Sequence, residues 1–151
     1  MPRGRTPSDG QLLGNRIILG CGSKLAGHVV IEDDAIINGM TGVIQFVRIG
    51  RHAFIGGVNK VTRDILPFMI ADGSPAMMRV VNVIGLKRKG FDDARIARIK
   101  RIIRGLFKDG ATALSEAVEA LAEAYPDDAD VECLRRFVAD SRVGIARLGK
   151  S

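Results

Sequence analysis

Few side chains in this chain have the type and spacing that chemistry demands. There are two histidines, His28 and His52, and two cysteines, Cys21 and Cys133. A histidine can take a proton as a general base or bind a metal through a neutral ring nitrogen. A zinc site of the hydrase kind needs three histidine ligands across a subunit interface; two histidines 24 residues apart do not make one, and no metal is expected. The cysteines have neither metal-like nor redox-motif spacing and read as structural or incidental thiols. Basic residues form a denser pattern. Lys87, Arg88, Lys89, Arg95, Arg98, Lys100, Arg101, Arg104 and Lys108 stand against only Asp92 and Asp93 across that stretch, in a chain of net charge +6. Such a face could follow a phosphate backbone, but no aromatic platform or recognition-helix motif accompanies it, and no nucleic acid is expected. Docking of an acidic protein and an ordinary solvated helix face are both left open.

These groups need a scaffold, and the scaffold is written as a repeat. Leu13, Leu19, Leu25, Ile31, Ile37, Val43, Ile49, Ile55 and Val61 recur every six residues without a miss. No helix has that period and a simple strand alternates in twos, so the segment is a hexapeptide repeat, the signature of a β-helix. The residue after the aliphatic one is often small (Gly14, Gly20, Ala26, Gly50, Gly56), and the fourth after it is modest in size (Ser23, Val29, Ala35, Thr41, Val47, Ala53). A narrow prism of short strands needs this, because each corner has room for one inward side chain and glycine is expected to relieve the tight turn. Three hexads make one triangular coil. Residues 13–66 therefore supply about three coils, which bury each other's aliphatic positions and pair in the parallel direction.

With 151 residues, 46% hydrophobic and 26% charged, the chain is globular, with room for one domain or a small domain and an appendage. No apolar run approaches the roughly 18 to 20 residues of a membrane span. The N-terminal MPRGRTPSDG has no apolar stretch behind its arginines, so the expected location is the cytoplasm. Residues 1–12 break the hexad phase, with Met1 and Pro7 in aliphatic slots, and are expected to be disordered or out of register. The first coil then starts at Leu13 without a visible cap, leaving a sheet edge and an open interior.

Past Val61 the repeat decays through Pro67, and residues 67–91 are expected as a connecting loop. Residues 92–151 read as a C-terminal three-helix domain. Asp92 caps a helix over 93–108, with Ile96, Ile99, Ile103, Leu106 and Phe107 on one face and Gly110 past its end. A second helix spans 112–124 and stops at Pro126; a third spans 130–140 with Val131, Leu134, Phe137 and Val138 inward. Short amphipathic helices cannot bury their stripes alone, so these are expected to pack on one another and on the β-helix.

Several stretches carry a family likeness: GNRIIL at 14–19, LAGHV at 25–29, GMTGVIQFVRIG at 39–50, IGGV at 55–58 and NVIGLKRKGF at 82–91, followed by Tyr125-Pro126 and the stretch from Ser141 to Arg147. In this order they resemble the C-terminal half of the bacterial acyl-[acyl-carrier-protein]:UDP-N-acetylglucosamine O-acyltransferases of lipid A biosynthesis. The resemblance implies a left-handed parallel β-helix with a C-terminal helical domain, assembled as a homotrimer with sites in clefts between subunits. It also implies transfer of a 3-hydroxyacyl group from acyl carrier protein to the 3-hydroxyl of UDP-N-acetylglucosamine, with no metal or cofactor. In that reaction a histidine takes the hydroxyl proton and a backbone N–H holds the thioester oxyanion.

By the same resemblance Gly27 supplies the oxyanion N–H, and His28 lies at the substrate cleft without being the base. On the residues alone, Gly27 is a turn glycine and His28 an outward surface histidine. Gln45 matches a residue contacting the nucleotide sugar, where a buried amide would read hydroxyls; Ile44 stands beside it in place of the family's histidine. Asn82, Arg88 and Lys89 match an asparagine and a basic pair used near the acyl donor and the phosphate groups, with a solvated loop as the alternative. Ile84 replaces an acidic residue, and Lys89 replaces an arginine, keeping the charge but losing the two-pronged fork. Gly57 matches the position that sets acyl-chain length, or is simply a hexad turn glycine. His52 carries no role and is expected at the surface.

The family's base would fall at Asp9, and no histidine occurs in residues 1–27. With an ordinary pKa of about 4, an aspartate is a poor base toward a sugar hydroxyl unless strongly desolvated. The coils that form the other wall of the family's site would also lie upstream. The expectation is a truncated C-terminal half, an acyltransferase by descent that gives no useful turnover. The alternative is a non-catalytic trimeric β-helix remnant that binds acyl carrier protein or a full-length paralogue.

Overall fold

A computed structural model describes residues 10–108 and 113–149. The expectations for residues 1–9, Asp9 among them, and for Gly110 and Thr112 lie outside the described residues. Strands of two residues follow the hexads: β1 Leu12–Leu13, β2 Ile18–Leu19, β3 Lys24–Leu25, β4 Val30–Ile31, β5 Ile36–Ile37, β6 Gly42–Val43, β7 Arg48–Ile49, β8 Phe54–Ile55 and β9 Lys60–Val61. Each pairs in parallel with the strand one coil on, as Leu13 with Ile31 and Ile31 with Ile49. Three ladders result, β1-β4-β7, β2-β5-β8 and β3-β6-β9, and the architecture is a left-handed parallel β-helix of about three turns.

The second residue of each strand points inward. Ile31, Ile37, Val43, Ile49, Ile55 and Val61 are no more than 3% exposed, and full burial of such a side chain stabilises by roughly 1.5–3 kcal/mol. On the first coil Leu12, Ile18 and Leu19 stay exposed, since no strand covers its outer edge among the described residues.

The corners differ from expectation. The residue three past each aliphatic one takes the left-handed conformation, and most of these are not glycine: Arg16, His28, Asp34, Met40, Phe46, His52 and Val58 have φ between 56° and 68°, with Gly22 in the same slot. The small residues sit two positions earlier, for clearance. A Cβ at Gly20 would press into the Gly39 backbone, and one at Gly50 into Pro67. Close stacking of coils, rather than turn conformation, selects glycine there.

Residues 67–91 are not a plain connecting loop. They hold a hairpin of β10 Met69–Gly73 and β11 Ala76–Val81, and then a short helix α1 Val83–Arg88. β10 continues the ladder by pairing in parallel with β8. The buried positions Met69, Ala71, Ala76, Met78 and Val81 largely follow a period of two, which a search for hexads does not register. Gly90, at φ 89°, ends the α1 turn while the Phe91 N–H donates to the Leu86 carbonyl.

The chain divides into two compact units. One holds the described residues through Asn82 together with those from Ser141 onward; the other is Val83–Asp140. The closing residues, expected within the helical domain, thus belong with the β-helix. The Asp64 N–H donates to the Gly144 carbonyl and the Ala146 N–H to the Asp64 carbonyl, and the Met78 N–H donates to the Arg147 carbonyl. Asp64 is fully buried, with Ser141 Oγ donating to Oδ2 at 2.6 Å and the Arg48 N–H to Oδ1 at 2.7 Å. Burial pushes its carboxyl pKa up against those two donors.

In the second unit, α2 Asp93–Leu106, α3 Leu114–Ala124 and α4 Ala129–Ala139 follow the three expected helices within two residues at each end. Asp92 caps α2 by accepting from the Arg95 N–H, and Asp128 caps α4. The helices join through charge as well as apolar stripes. Asp130, 4% exposed, accepts two bonds from Arg95 at 2.9 and 2.8 Å and one from Arg98 at 2.9 Å. Among the described residues no helix is long and apolar enough to cross a membrane.

Candidate active site

Because three hexads complete a turn, the left-handed corner residues align in three columns. The first runs Arg16, Asp34, His52: the Arg16 guanidinium grips the Asp34 carboxylate at 2.8 and 3.0 Å, and His52 stacks on Phe68 at 6.2 Å. His52 is therefore buried, at 5% exposure, not a surface residue, because Phe68 covers its ring. The second column runs Gly22, Met40, Val58 and exposes its two apolar side chains. The third runs Gly10, His28, Phe46. Here an exposed His28 ring lies 5.1 Å from Phe46 at an interplanar angle of 10°, and Arg142 Cζ sits 4.3 Å from the same Phe46 ring. Titratable and aromatic groups face solvent together at this third corner.

Gly27 directly precedes His28 on this corner, two residues past the inward Leu25. The N–H in that slot is an anion-seeking donor wherever a carboxylate is offered. At the first corner the Asn15 N–H donates to Asp33 at 2.7 Å and the Arg51 N–H to Glu32 at 3.1 Å. The Gly27 N–H has no acceptor among the described residues.

The prism face between the second and third corners carries β3, β6 and β9. Their outward residues Lys24, Gly42 and Lys60 stand opposite one another in register. Gly42 leaves a gap between two lysine stems, and with Leu25, Ala26, Val43, Ile44 and Gln45 these residues line an open, mostly apolar groove of about 460 Å³. A Cβ at Gly42 would meet nothing within 4 Å. Gln45 is exposed on the groove, not buried, because both it and Ile44 sit on the outer side of the corner. Gly57 adjoins Val58 at the other end of the same face, and a Cβ there would come within 3.2 Å of the Gly39 carbonyl oxygen.

The structure thus brings Gly27, His28, Gln45 and Gly57 to one face of the β-helix and its bounding corners. Asn82 behaves differently: it is buried, and its side-chain amide donates to the His52 carbonyl at 2.9 Å. Arg88 and Lys89 lie in the helical unit, exposed at the end of α1. Spacing alone could have revealed the stacking of Phe46 on His28 and the Lys24, Gly42, Lys60 row, since both recur at one full coil. Nothing in the sequence pairs Arg142 with Phe46. Among the described residues no group of three or more His, Cys, Asp or Glu is placed to hold a metal.

Residues 64–146 match the family model described as UDP-N-acetylglucosamine O-acyltransferase, domain 2. The chain belongs to the UDP-N-acetylglucosamine O-acyltransferase family. It is 46% identical over 140 residues to the acyl-[acyl-carrier-protein]–UDP-N-acetylglucosamine O-acyltransferase of Verminephrobacter eiseniae, covering 90% of this chain and 53% of that protein. A similar relative from Burkholderia orbicola is 45% identical over 139 residues, again across 89% of this chain and 53% of the relative. Among solved structures, the UDP-N-acetylglucosamine acyltransferase of Campylobacter jejuni superposes with a TM-score of 0.84 at 33% identity, over 92% of this chain and 54% of that one. The chain spans about half the length of the curated relatives it matches. Within this acyltransferase family, its share of the fold is the late coils and the helical unit.

Proposed function

We propose that this chain carries the oxyanion and acyl-groove portion of a site that moves a 3-hydroxyacyl group from acyl carrier protein to the 3-hydroxyl of UDP-N-acetylglucosamine, the first step of lipid A biosynthesis. One observation carries the reading: a backbone N–H with no acceptor among the described residues, that of Gly27, stands at the corner bounding an apolar groove. A thioester carbonyl seated there would gain a donor as charge develops on its oxygen, while the acyl chain lies along the β3-β6-β9 face toward Gly57. His28 and Gln45, both exposed at the Gly27 corner, supply polar contacts for the sugar.

Charge supports the carrier partner. Of the nine basic residues from Lys87 to Lys108, Lys87 is paired with Asp93, Arg95 with Asp130, and Arg98 with Asp128 and Asp130. Arg88, Lys100, Arg101, Arg104 and Lys108 make no ion pair among the described residues and suit an acidic carrier protein or phosphate groups. Homotrimeric assembly, action in the cytoplasm and independence from any cofactor complete the proposal.

No histidine occurs in residues 1–27, so the 151-residue chain on its own is expected to form no acyl-sugar from acyl carrier thioester and UDP-N-acetylglucosamine. The same fact favours a second reading, a non-catalytic β-helix module that binds acyl carrier protein or pairs with a longer paralogue. A chimaera decides between them. Residues 10–149 joined behind the N-terminal half of the Verminephrobacter relative should restore acyl transfer. A folded, silent chimaera would sink the acyltransferase reading.

A further inference from the structure

The stack at the third corner has a consequence beyond holding the coils together. Arg142 belongs to the returning segment, whose Ser141 hydroxyl is anchored on the buried Asp64 and whose Gly144 N–H donates to Ser141 Oγ at 3.2 Å. The segment stands where the next residue of the third column would stand, because Asp64, one coil past Phe46, is buried in the unit's interior. A ring 5.1 Å away and nearly parallel takes one face of Phe46, so the guanidinium 4.3 Å from the same centroid takes the other. A guanidinium lying on an aromatic face keeps its N–H edge directed outward.

That edge is unspent: Arg142 forms neither an ion pair nor a side-chain hydrogen bond among the described residues. This separates it from Arg16, Arg79, Arg95, Arg98 and Arg135, each of which is bound to a carboxylate. The imidazole of His28 stands on the same column, also exposed and without a hydrogen-bond partner among the described residues. A planar, pre-oriented cation on one face of Phe46 and an open imidazole on the other, neither bound to a carboxylate among the described residues, suit the oxygens of a tetrahedral oxyanion.

We infer that Arg142, stacked on the face of Phe46 opposite His28, binds the phosphoryl oxygens of a diphosphate or phosphomonoester ligand at this corner. The choice of ligand rests on the acyltransferase reading, in which both substrates bring such groups; the binding does not. Arg142 acts through two fixed contacts, the ring beneath it and the anchored segment behind it. Its fork can therefore donate to two oxygens with little ordering cost.

The test is a titration of the isotope-labelled 151-residue chain with inorganic pyrophosphate, read by NMR at the His28 and Phe46 rings and the Arg142 side-chain N–H. A single saturable curve common to all three is expected. Arg142→Gln should weaken it at least about tenfold, and Arg142→Lys should fall between, keeping charge but losing the fork. Phe46→Leu, which leaves every charge in place, should weaken it as well by releasing the guanidinium. Arg147→Gln makes the same charge change on the same segment and should leave affinity unchanged. Equal affinity in Arg142→Gln, or an equal loss in Arg147→Gln, overturns the inference, as does a wild-type chain that binds no pyrophosphate. Competition by UDP or by 4′-phosphopantetheine then tells whether the site serves the nucleotide or the carrier arm. A silent chimaera with intact pyrophosphate binding would remove the acyltransferase reading and leave this site standing.

Discussion

Replacing Gly42 with valine separates the acyl groove from the fold, because the two respond in opposite directions. Gly42 lies in β6 between Lys24 and Lys60, with open space where its Cβ would be. A β-branched residue suits a strand, and removing a strand glycine recovers about 0.5–1 kcal/mol, so the variant should unfold at higher denaturant. The same three carbons enter the groove. If they displace about three methylenes of a bound chain, the loss is about 0.8 kcal/mol each, or about 2.4 kcal/mol, which is roughly 50-fold in affinity. Gly42→Ala, with one carbon, should cost roughly fourfold. Calorimetric titration with decanoyl-pantetheine reads the effect, and butanoyl-pantetheine serves as a control too short to reach the gap. A Gly42→Val chain that is more stable yet binds the decanoyl chain at wild-type affinity would show that acyl chains do not use this face.

Two further outcomes follow from the charge network and the corners. Arg95 and Arg98 outweigh the effect of burial and hold the Asp130 carboxyl below its ordinary pKa; the stability it confers is present above the unfolded value of about 3.9 and is lost as pH falls through the lower folded value. Asp130→Asn should cost about 2 kcal/mol at pH 7, less than a fully buried pair because both guanidiniums reach solvent. That gap should narrow in urea titrations as pH falls below the unfolded value of about 3.9 and through the lower folded one, and a gap that does not narrow with acidification contradicts the ion-pair account. Val58 has φ 57° and is 77% exposed, so Val58→Gly relieves about 1–2 kcal/mol of left-handed strain at an entropic cost of about 0.5–1 kcal/mol. A net gain of about 0.5–1 kcal/mol in denaturant unfolding is expected, and a net loss would mean the corner is not strained.

Legibility from the sequence varied by how local each signal was. The row from Leu13 to Val61 announced the ladders, since a six-residue period admits no other regular structure. The caps at Asp92 and the inward faces of α2 and α4 were equally readable, because capping and the helical stripe act over a few residues. The hairpin at 69–81 was missed because its signal is alternation, and the corner conformation because it falls on ordinary residues such as Met40 and Val58. At the site, Gly27 and His28 were named from the sequence, but that the Gly27 N–H has no acceptor among the described residues was not. That depends on which corner has a carboxylate one coil away, as Asp33 and Glu32 show at the first.

The order of residues alone determined that this chain winds as a β-helix, where its inward side chains fall and to which family it belongs, because a strict repeat is a local constraint read once per hexad. Only the tertiary structure decided that His52 is covered, that Asn82 spends its amide on a backbone carbonyl, and that Arg142 returns to lie on Phe46. Those contacts join residues far apart in the chain, and they exist only once stacked coils have brought every eighteenth residue into line and buried Asp64 has drawn the C-terminal segment back across them.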